Sequence, residues 1–343
     1  MRLENFWYTQ AMHPSEKPEL SEQHKPMLVF RNKPRISEHK IDQPFNEMKK
    51  EFIPYVEQFV AGHNLFKNED EVGITFAHKG VSSIITILDT ASNKWVLKIP
   101  RSKELSAGEG QFFTVWEQAG ISVPHVLETG EMHGLPYTLM DFVDAPTIDT
   151  AYSQEELLGN KMFVEMGRIL RVMHSVNADG YGSVVDEEPE FKTVEEWLAG
   201  KDMRMRFDYI EEHGLLKGFE NVLQKSIEVI KKHAETSQST YCHADFGTAN
   251  MFATNPLTIF DCNPKFNSGY YDLGRIKFGQ ITAKNTPEVF EQMLNGYFED
   301  EECDDEILMA YTFLAFCMKA WYWHQTGKVE QLETAKQYFI ENN

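Results

Sequence analysis

The hydrophobic pattern of the chain changes period near residue 150. Before that point, short runs of β-branched and apolar residues alternate with turn residues. After it, apolar positions recur at helical spacing. Such a chain must build a strand-rich unit first and a helical unit second, and 343 residues suffice for two cores. The expected class is therefore α+β, with a β-rich first lobe, a mainly helical second lobe and a hinge near Met140–Ala145.

Within the first part, Gly73–Ala77, Ser83–Leu88 and Lys94–Ile99 read as strands, with Gly80 and Asp89–Asn93 at the turns. A helix is predicted over Ser106–Ala119, then strands over Val123–Glu128 and Tyr137–Phe142. Residues 1–43 read as an irregular extension, because Pro14, Pro18, Pro26 and Pro34 interrupt regular structure. A helix opens near Pro44, so the expected first lobe is 44–144 and the second 145–343. In the second, helices are predicted over Glu155–Ser175, Thr193–Glu212, Gly218–Glu235, Pro287–Glu299 and Asp304–Thr326, with a strand-like interruption at Met251–Asp261.

The strongest chemical signal is His243-Ala-Asp245-Phe-Gly-Thr-Ala-Asn250, with Asp261 ending an apolar run. Phosphoryl transfer needs one carboxylate to orient the attacking hydroxyl, and oxygen ligands for the magnesium that neutralises phosphate charge. Protein kinases place such an Asp and Asn five residues apart, with a second metal-binding Asp further on. The spacing here is the same, so Asp245 reads as catalytic base and Asn250 and Asp261 as magnesium ligands. The competing reading is an ordinary turn before a strand, since Asp and Asn favour turns.

Lys98, on the apolar strand Trp95–Pro100, suits contact with nucleotide phosphates and requires a partner carboxylate. Glu104 and Glu109 are candidates. Glu109 is preferred, because Phe112, Phe113 and Trp116 on its helix are expected to pack on the sheet and fix its pose. Gly80, Ser82 and Ser83 join two strands and could contact phosphates through amides and hydroxyls. His174 reads as a packing residue, and Asp272 as support for the metal-binding loop or a helix start.

Net charge is −20, and residues 145–343 carry 18 basic against 33 acidic side chains. That balance argues against nucleic acid and anionic membranes as partners and would attract a small cationic molecule; the competing reading is an acidic surface that only aids solubility. Seven of the eight residues Glu299–Glu306 are acidic. They read either as a solvated helix start or as a wall for ammonium groups. The four cysteines show no metal-ligand spacing and are expected as thiols. With no apolar stretch of membrane-spanning length and no signal-peptide pattern, a cytoplasmic location is expected. The sequence leaves the oligomeric state open.

At these residues the sequence resembles the aminoglycoside phosphotransferase family of small-molecule kinases, over roughly residues 70–330. Val96-Leu-Lys98-Ile-Pro100, Gly120–Leu127, Gly167–His174, His243–Asn250 and Tyr271-Asp272-Leu-Gly274 carry the likeness. His243–Gly247 and Gly180-Tyr-Gly182 resemble its hygromycin phosphotransferase branch. The resemblance implies a bilobal protein-kinase-like fold, ATP or GTP with magnesium, and adenine at the hinge near Met140, Asp141, Phe142 and Val143. It implies an antibiotic-like or amino-sugar acceptor. Kinases of choline, homoserine or fructosamine type share the same motifs, and a nucleotide-binding regulator without turnover is the alternative of another class. The chain departs from the family at Phe246–Ala249 and at Cys262, where many members carry Leu-His-Pro-Gly and Trp.

Overall fold

The computed structural model describes residues 25–36, 43–77, 83–100, 108–132, 134–283 and 286–342. Two compact units emerge. The first comprises Met1–Arg101 and Thr129–Leu139, and the second Ser102–Glu128 and Met140–Asn343. Among the described residues, no helix is long and apolar enough to cross a membrane.

The first sheet is built from β1 (Met27–Phe30), β2 (Glu71–Phe76), β3 (Ser83–Asp89), β4 (Lys94–Pro100), β5 (Val126–Met132) and β6 (Leu135–Asp141), in the order β1-β2-β3-β4-β6-β5. Alternating burial along β3 turns Ile84, Thr86 and Leu88 inward. Ile84 and Leu88 belong to one apolar core with Phe52 and Val56 of the helix Gln43–Gly62. Strand β1 lies inside the segment read as irregular. It pairs parallel with β2, Met27 opposite Glu71, at the sheet edge. Pro26 and Pro34 flank it, which an edge strand tolerates because one side of its ladder is unpaired. Asn32 extends the ladder with its side chain: Nδ2 donates to the Phe76 carbonyl at 2.8 Å, and Oδ1 accepts from the Phe76 amide at 2.7 Å.

The second unit is mainly helical and carries a small sheet of β7 (Asn177–Ala178), β8 (Tyr181–Val185), β9 (Glu188–Phe191), β10 (Ser239–Cys242) and β13 (Lys265–Asn267). A separate hairpin joins β11 (Met251–Phe252) to β12 (Thr258–Ile259). The predicted helix over 155–175 is two helices, Gln154–Gly159 and Met162–His174, divided at Lys161 in the left-handed region (φ 54°). The helix Asp305–Thr326 has eleven buried residues, which makes it the apolar spine of this unit. Helices Met162–His174 and Pro287–Phe298 meet at Gly167 and Gly296, where any Cβ would strike backbone of the facing helix. That close approach fixes where His174 and Tyr297 sit.

The helix Glu109–Gln118 places the Phe112 ring 4.6 Å from Tyr241 and 5.1 Å from Phe266, which belong to β10 and β13. This aromatic contact joins residues more than a hundred positions apart, which sequence proximity alone does not pair.

Candidate active site

Strand β10 runs antiparallel to β13, Cys242 opposite Lys265, and delivers the chain to His243. The loop that follows is closed on itself at both ends. At one end the Asn263 amide donates to the His243 carbonyl at 2.8 Å, and at the other the Phe260 amide donates to the Asn250 carbonyl at 3.0 Å. The hairpin between them pairs Met251 with Ile259, and Phe252 stacks on Phe260 with centroids 4.1 Å apart. This zipper explains why an apolar run precedes Asp261. It carries Asp261 back beside the His243–Asn250 loop.

Asp245 and Asn250 are brought into direct contact. The Asn250 Nδ2 donates to the Asp245 carbonyl at 2.7 Å and to its Oδ2 at 3.0 Å. With both amide hydrogens engaged, the Asn250 side-chain oxygen is the atom left for a cation. Ala244 (φ 56°) and Asp261 (φ 55°) both occupy the left-handed region. For residues other than glycine this conformation costs of order 1–3 kcal/mol and clusters at active sites. It persists here because the surrounding hydrogen bonds over-determine the loop.

Those bonds converge on Asp272, which is 1% exposed at the start of the helix Tyr270–Ala283. Its Oδ2 accepts from the His243 amide and its Oδ1 from the Ala244 amide, both at 2.7 Å. His174 Nε2 donates to the same Oδ2 at 3.1 Å, and His174 Nδ1 lies 3.0 Å from the Tyr297 hydroxyl. Burial alone would raise the Asp272 pKa. The His174 hydrogen bond and those of the His243 and Ala244 amides outweigh it, and the carboxyl is held below its usual range. Asp272 thus anchors the His243–Ala244 backbone immediately before Asp245. His174 is a buried packing residue as expected, and it also orients this carboxylate.

His243 is fully buried, and burial pushes its pKa down. Its ring is neutral, and the tautomer follows from its partners. Nδ1 accepts from the Asp245 amide at 3.2 Å, so Nε2 carries the hydrogen and donates to the Phe260 carbonyl at 3.1 Å. The Trp116 ring stacks on it at 6.0 Å and 6°. His243 is therefore a strut between the loop and the Asp261 segment rather than a proton carrier. His174, Cys242 and Asp272 offer ligand atoms within 4.8 Å of one another. The Cys242 thiol nevertheless donates to the Asn267 and Ser268 carbonyls, burial raises its pKa well above normal, and Asp272 is already saturated, so the group is structural.

On the proposed nucleotide side, Lys98 lies on β4 opposite Ile85 and is 5% exposed. Glu109 begins its helix at 2% exposure. Ser83 opens β3, buried, with a hydroxyl that has no hydrogen-bond partner among the described residues. Gly80 and Ser82 lie outside the described residues. Met140 and Asp141 end β6, where the Asp141 amide donates to the His125 carbonyl at 2.9 Å; Phe142 and Val143 follow, half-buried.

The acidic run is largely engaged. Glu299 pairs with Arg171 at 2.6 Å, and Glu301 with the same guanidinium at 3.2 Å. Asp304 caps the helix Asp305–Thr326 by accepting from the Ile307 amide at 3.1 Å, and Glu306 lies 3.4 Å from Lys225. Two cations that the sequence reading did not single out lie near the loop. Arg275 stands one turn after Asp272, and Lys319 lies within electrostatic reach of both Asp245 and Arg275. The signal for Arg275 was its place three residues after Asp272 on a helix. Nothing in the sequence alone joins Lys319 to Asp245, seventy-four positions earlier.

Comparison with known proteins bears on the family and the fold. A sequence model of the phosphotransferase enzyme family matches residues 73–307. Among solved structures, a thermostable mutant of aminoglycoside phosphotransferase APH(4)-Ia, in ternary complex with AMP-PNP and hygromycin B, superposes with a TM-score of 0.59 at 16% identity, covering 81% of this chain and 96% of that one. A protein described as a fructosamine-3-kinase of Haemophilus somnus gives 0.51 at 14% identity, covering 78% and 89%. A search of curated proteins returned no match. The family match spans more than half of the chain, and the fold is that of these kinases: the chain belongs to the phosphotransferase enzyme family and is a small-molecule kinase.

Proposed function

We propose that the chain transfers the γ-phosphoryl group of ATP, or GTP, to a hydroxyl of a small molecule, with Asp245 as catalytic base. The observation that carries this reading is the Asp245–Asn250 contact inside a loop whose backbone is fixed at both ends. A base must be held within hydrogen-bond reach of the proton it accepts, and pre-organisation of this kind supplies that.

In the proposed mechanism Asp245 orients the acceptor hydroxyl and takes its proton as the oxygen attacks. Asn250, through its amide oxygen, and Asp261, through its carboxylate, would hold magnesium. Hard oxygen donors of this kind fit that ion, and the direction of the Asn250 amide leaves the correct atom available. Magnesium when bound neutralises charge on the transferring phosphoryl group. Lys98 binds phosphate oxygens of the nucleotide, and Glu109 and Ser83 are proposed as further nucleotide-binding residues. Residues 140–143 are proposed to receive the base.

The test is a phosphorylation screen of the full chain with mass detection of products, followed by Asp245→Ala. Removing a positioned acid–base group lowers turnover by about 10²–10⁴-fold. Near-parental turnover in that variant would remove Asp245 from the role. The acceptors of the relatives, hygromycin B included, belong to those proteins. The strongly negative chain as a whole favours a cationic acceptor of that general type.

A further inference from the structure

We propose that the β8–β9 hairpin clamps the first turn of the helix Glu109–Gln118, and that Gln111 is the residue that positions Glu109 for the nucleotide. The inference rests on the reading of Glu109 as a nucleotide-site residue. All the residues of the clamp lie in the second unit.

Glu109 is the first residue of its helix, and helix ends fray. Gly108 precedes it in the left-handed region (φ 87°), and no side chain caps this turn among the described residues. The turn is held from outside instead. Gln111 Nε2 donates to the Glu187 carbonyl at 2.9 Å. Gly108 packs so closely on Val184 that a Cβ there would lie 2.6 Å and 2.8 Å from the two valine methyls. One residue further along, Phe112 sits against Tyr241 and Phe266. A site carboxylate must be held close to its productive position, and one on an uncapped first turn meets that demand when the turn is anchored in this way.

The tip of the hairpin carries a second, independent observation. Val185 pairs with Glu188, so Asp186 and Glu187 form a two-residue turn. Both are left-handed, at φ 48° and 69°. Turns of this kind favour Asn-Gly, and a Glu in that region is disfavoured, so its presence calls for a reason. The turn sets the direction of the Glu187 carbonyl, which is the acceptor for Gln111. The body of the hairpin is closed by the Gly180-Tyr-Gly182 segment: Gly182 is left-handed (φ 96°), and any Cβ at Gly180 would strike the Phe191 carbonyl. Its far side pairs Gly182 with Phe266 of β13, where Lys265 donates to the Ser183 hydroxyl at 2.8 Å. Strand β13 pairs in turn with β10, which leads into His243. The hairpin therefore references the helix of Glu109 to the same sheet that delivers the loop of Asp245.

The test titrates ADP with magnesium calorimetrically into the full chain and follows amide hydrogen exchange over residues 112–118 in the same variants. Gln111→Met keeps the shape and removes the donor. It should speed exchange and weaken ADP about three- to tenfold, the weight of one neutral hydrogen bond. Glu187→Gly keeps the acceptor carbonyl, so both readings should stay parental. Gly108→Ala should weaken ADP at least tenfold. Adding Val184→Ala, which removes the two methyls that the new Cβ would strike, should recover part of that loss, whereas a merely structural lesion would deepen with a second truncation. Parental exchange in Gln111→Met, or no recovery in the double variant, would overturn the clamp. Weaker ADP in Glu187→Gly would overturn it as well, by assigning the effect to the Glu187 side chain. Faster exchange in Gln111→Met with parental ADP affinity, in a protein where Glu109→Gln also binds ADP as the parent does, would instead refute the nucleotide role of Glu109 and leave the clamp standing.

Discussion

Replacing Asp272 by Asn is the sharpest test of how the His243–Asn250 loop is held. The carboxylate receives three donors: the Ala244 amide on Oδ1, and the His243 amide with His174 Nε2 on Oδ2. An Asn of the same shape has one oxygen and one NH₂ group. Its best orientation puts the oxygen at the Oδ2 position, where two donors already point, and sets the new NH₂ against the Ala244 amide. Two donors then face each other at a site 1% exposed. Each buried unsatisfied donor costs about 1–3 kcal/mol, so a net loss of about 3 kcal/mol is expected. For a unit of roughly 230 residues this lowers the melting temperature by roughly 6–12 °C. Asp245 follows Ala244 directly, so displacement of that backbone should also lower kcat by on the order of 10²-fold. A pH series adds a sign. The folded carboxyl is held below the usual 3.8, so its contribution is complete above that value and is lost as pH falls through the lower folded pKa. The parent should shed stability over that acid window, and the variant should lack this component. Calorimetry across pH, with kcat measured alongside, reads all of these. A variant that melts within about a degree of the parent with intact kcat would show that something other than Asp272 fixes the loop.

Asp261→Asn removes a formal charge from the proposed magnesium site, so magnesium-dependent turnover should fall by at least tenfold while nucleotide binding without magnesium stays near parental; equal loss in both titrations would refute the metal assignment. Gly296→Ala sets a Cβ against the Val164 carbonyl of the facing helix, and overpacking of this kind costs about 1–3 kcal/mol, readable as a lowered urea midpoint; an unchanged midpoint would mean that the helices separate without penalty. Lys265 is held down to about 8 because burial disfavours its ammonium, with Asp202 and Glu190 opposing. The unfolded chain then binds more protons between about 8 and 10.5, so the parent should gain stability with rising pH relative to Lys265→Met, and parallel pH curves for the two would sink the assignment.

The sequence was most legible where one local rule decides the outcome. The change of hydrophobic period marks the mixed architecture, and the five-residue spacing of Asp245 and Asn250 survives in space because a short turn and hairpin connect them. The capping boxes at Ser153–Glu156 and Thr193–Glu196 begin two predicted helices within a residue of their expected starts. Elsewhere a local rule was overridden. The stretch over 193–212 breaks at Gly200 into two helices, since glycine releases the backbone that the apolar spacing alone would have continued. Strand β1 was hidden by prolines that a sheet edge tolerates. The helix Tyr270–Ala283 entered only as one of two readings of Asp272, because its apolar face is weakly segregated and its Asp272 turns inward.

Charge shows most clearly what a linear reading leaves open. A surplus of acids over residues 145–343 suggests a site for cations, on the premise that a field follows from a sum. Within the run 299–306, Glu299 and Glu301 pair with Arg171, Glu306 lies beside Lys225 and Asp304 caps a helix, so four of its seven acids already serve the local structure. Exposed charges are screened beyond about 10 Å at ordinary ionic strength, so a sum over residues 145–343 reaches an acceptor only through the groups that line its site. The packing that sets such a lining is local: the helices Tyr270–Ala283 and Asp305–Thr326 approach closely because Gly274 leaves room for the backbone of Tyr311 and Thr312. Net charge therefore describes the surface of this protein, while the sign of its acceptor site depends on which side chains the fold turns toward Asp245.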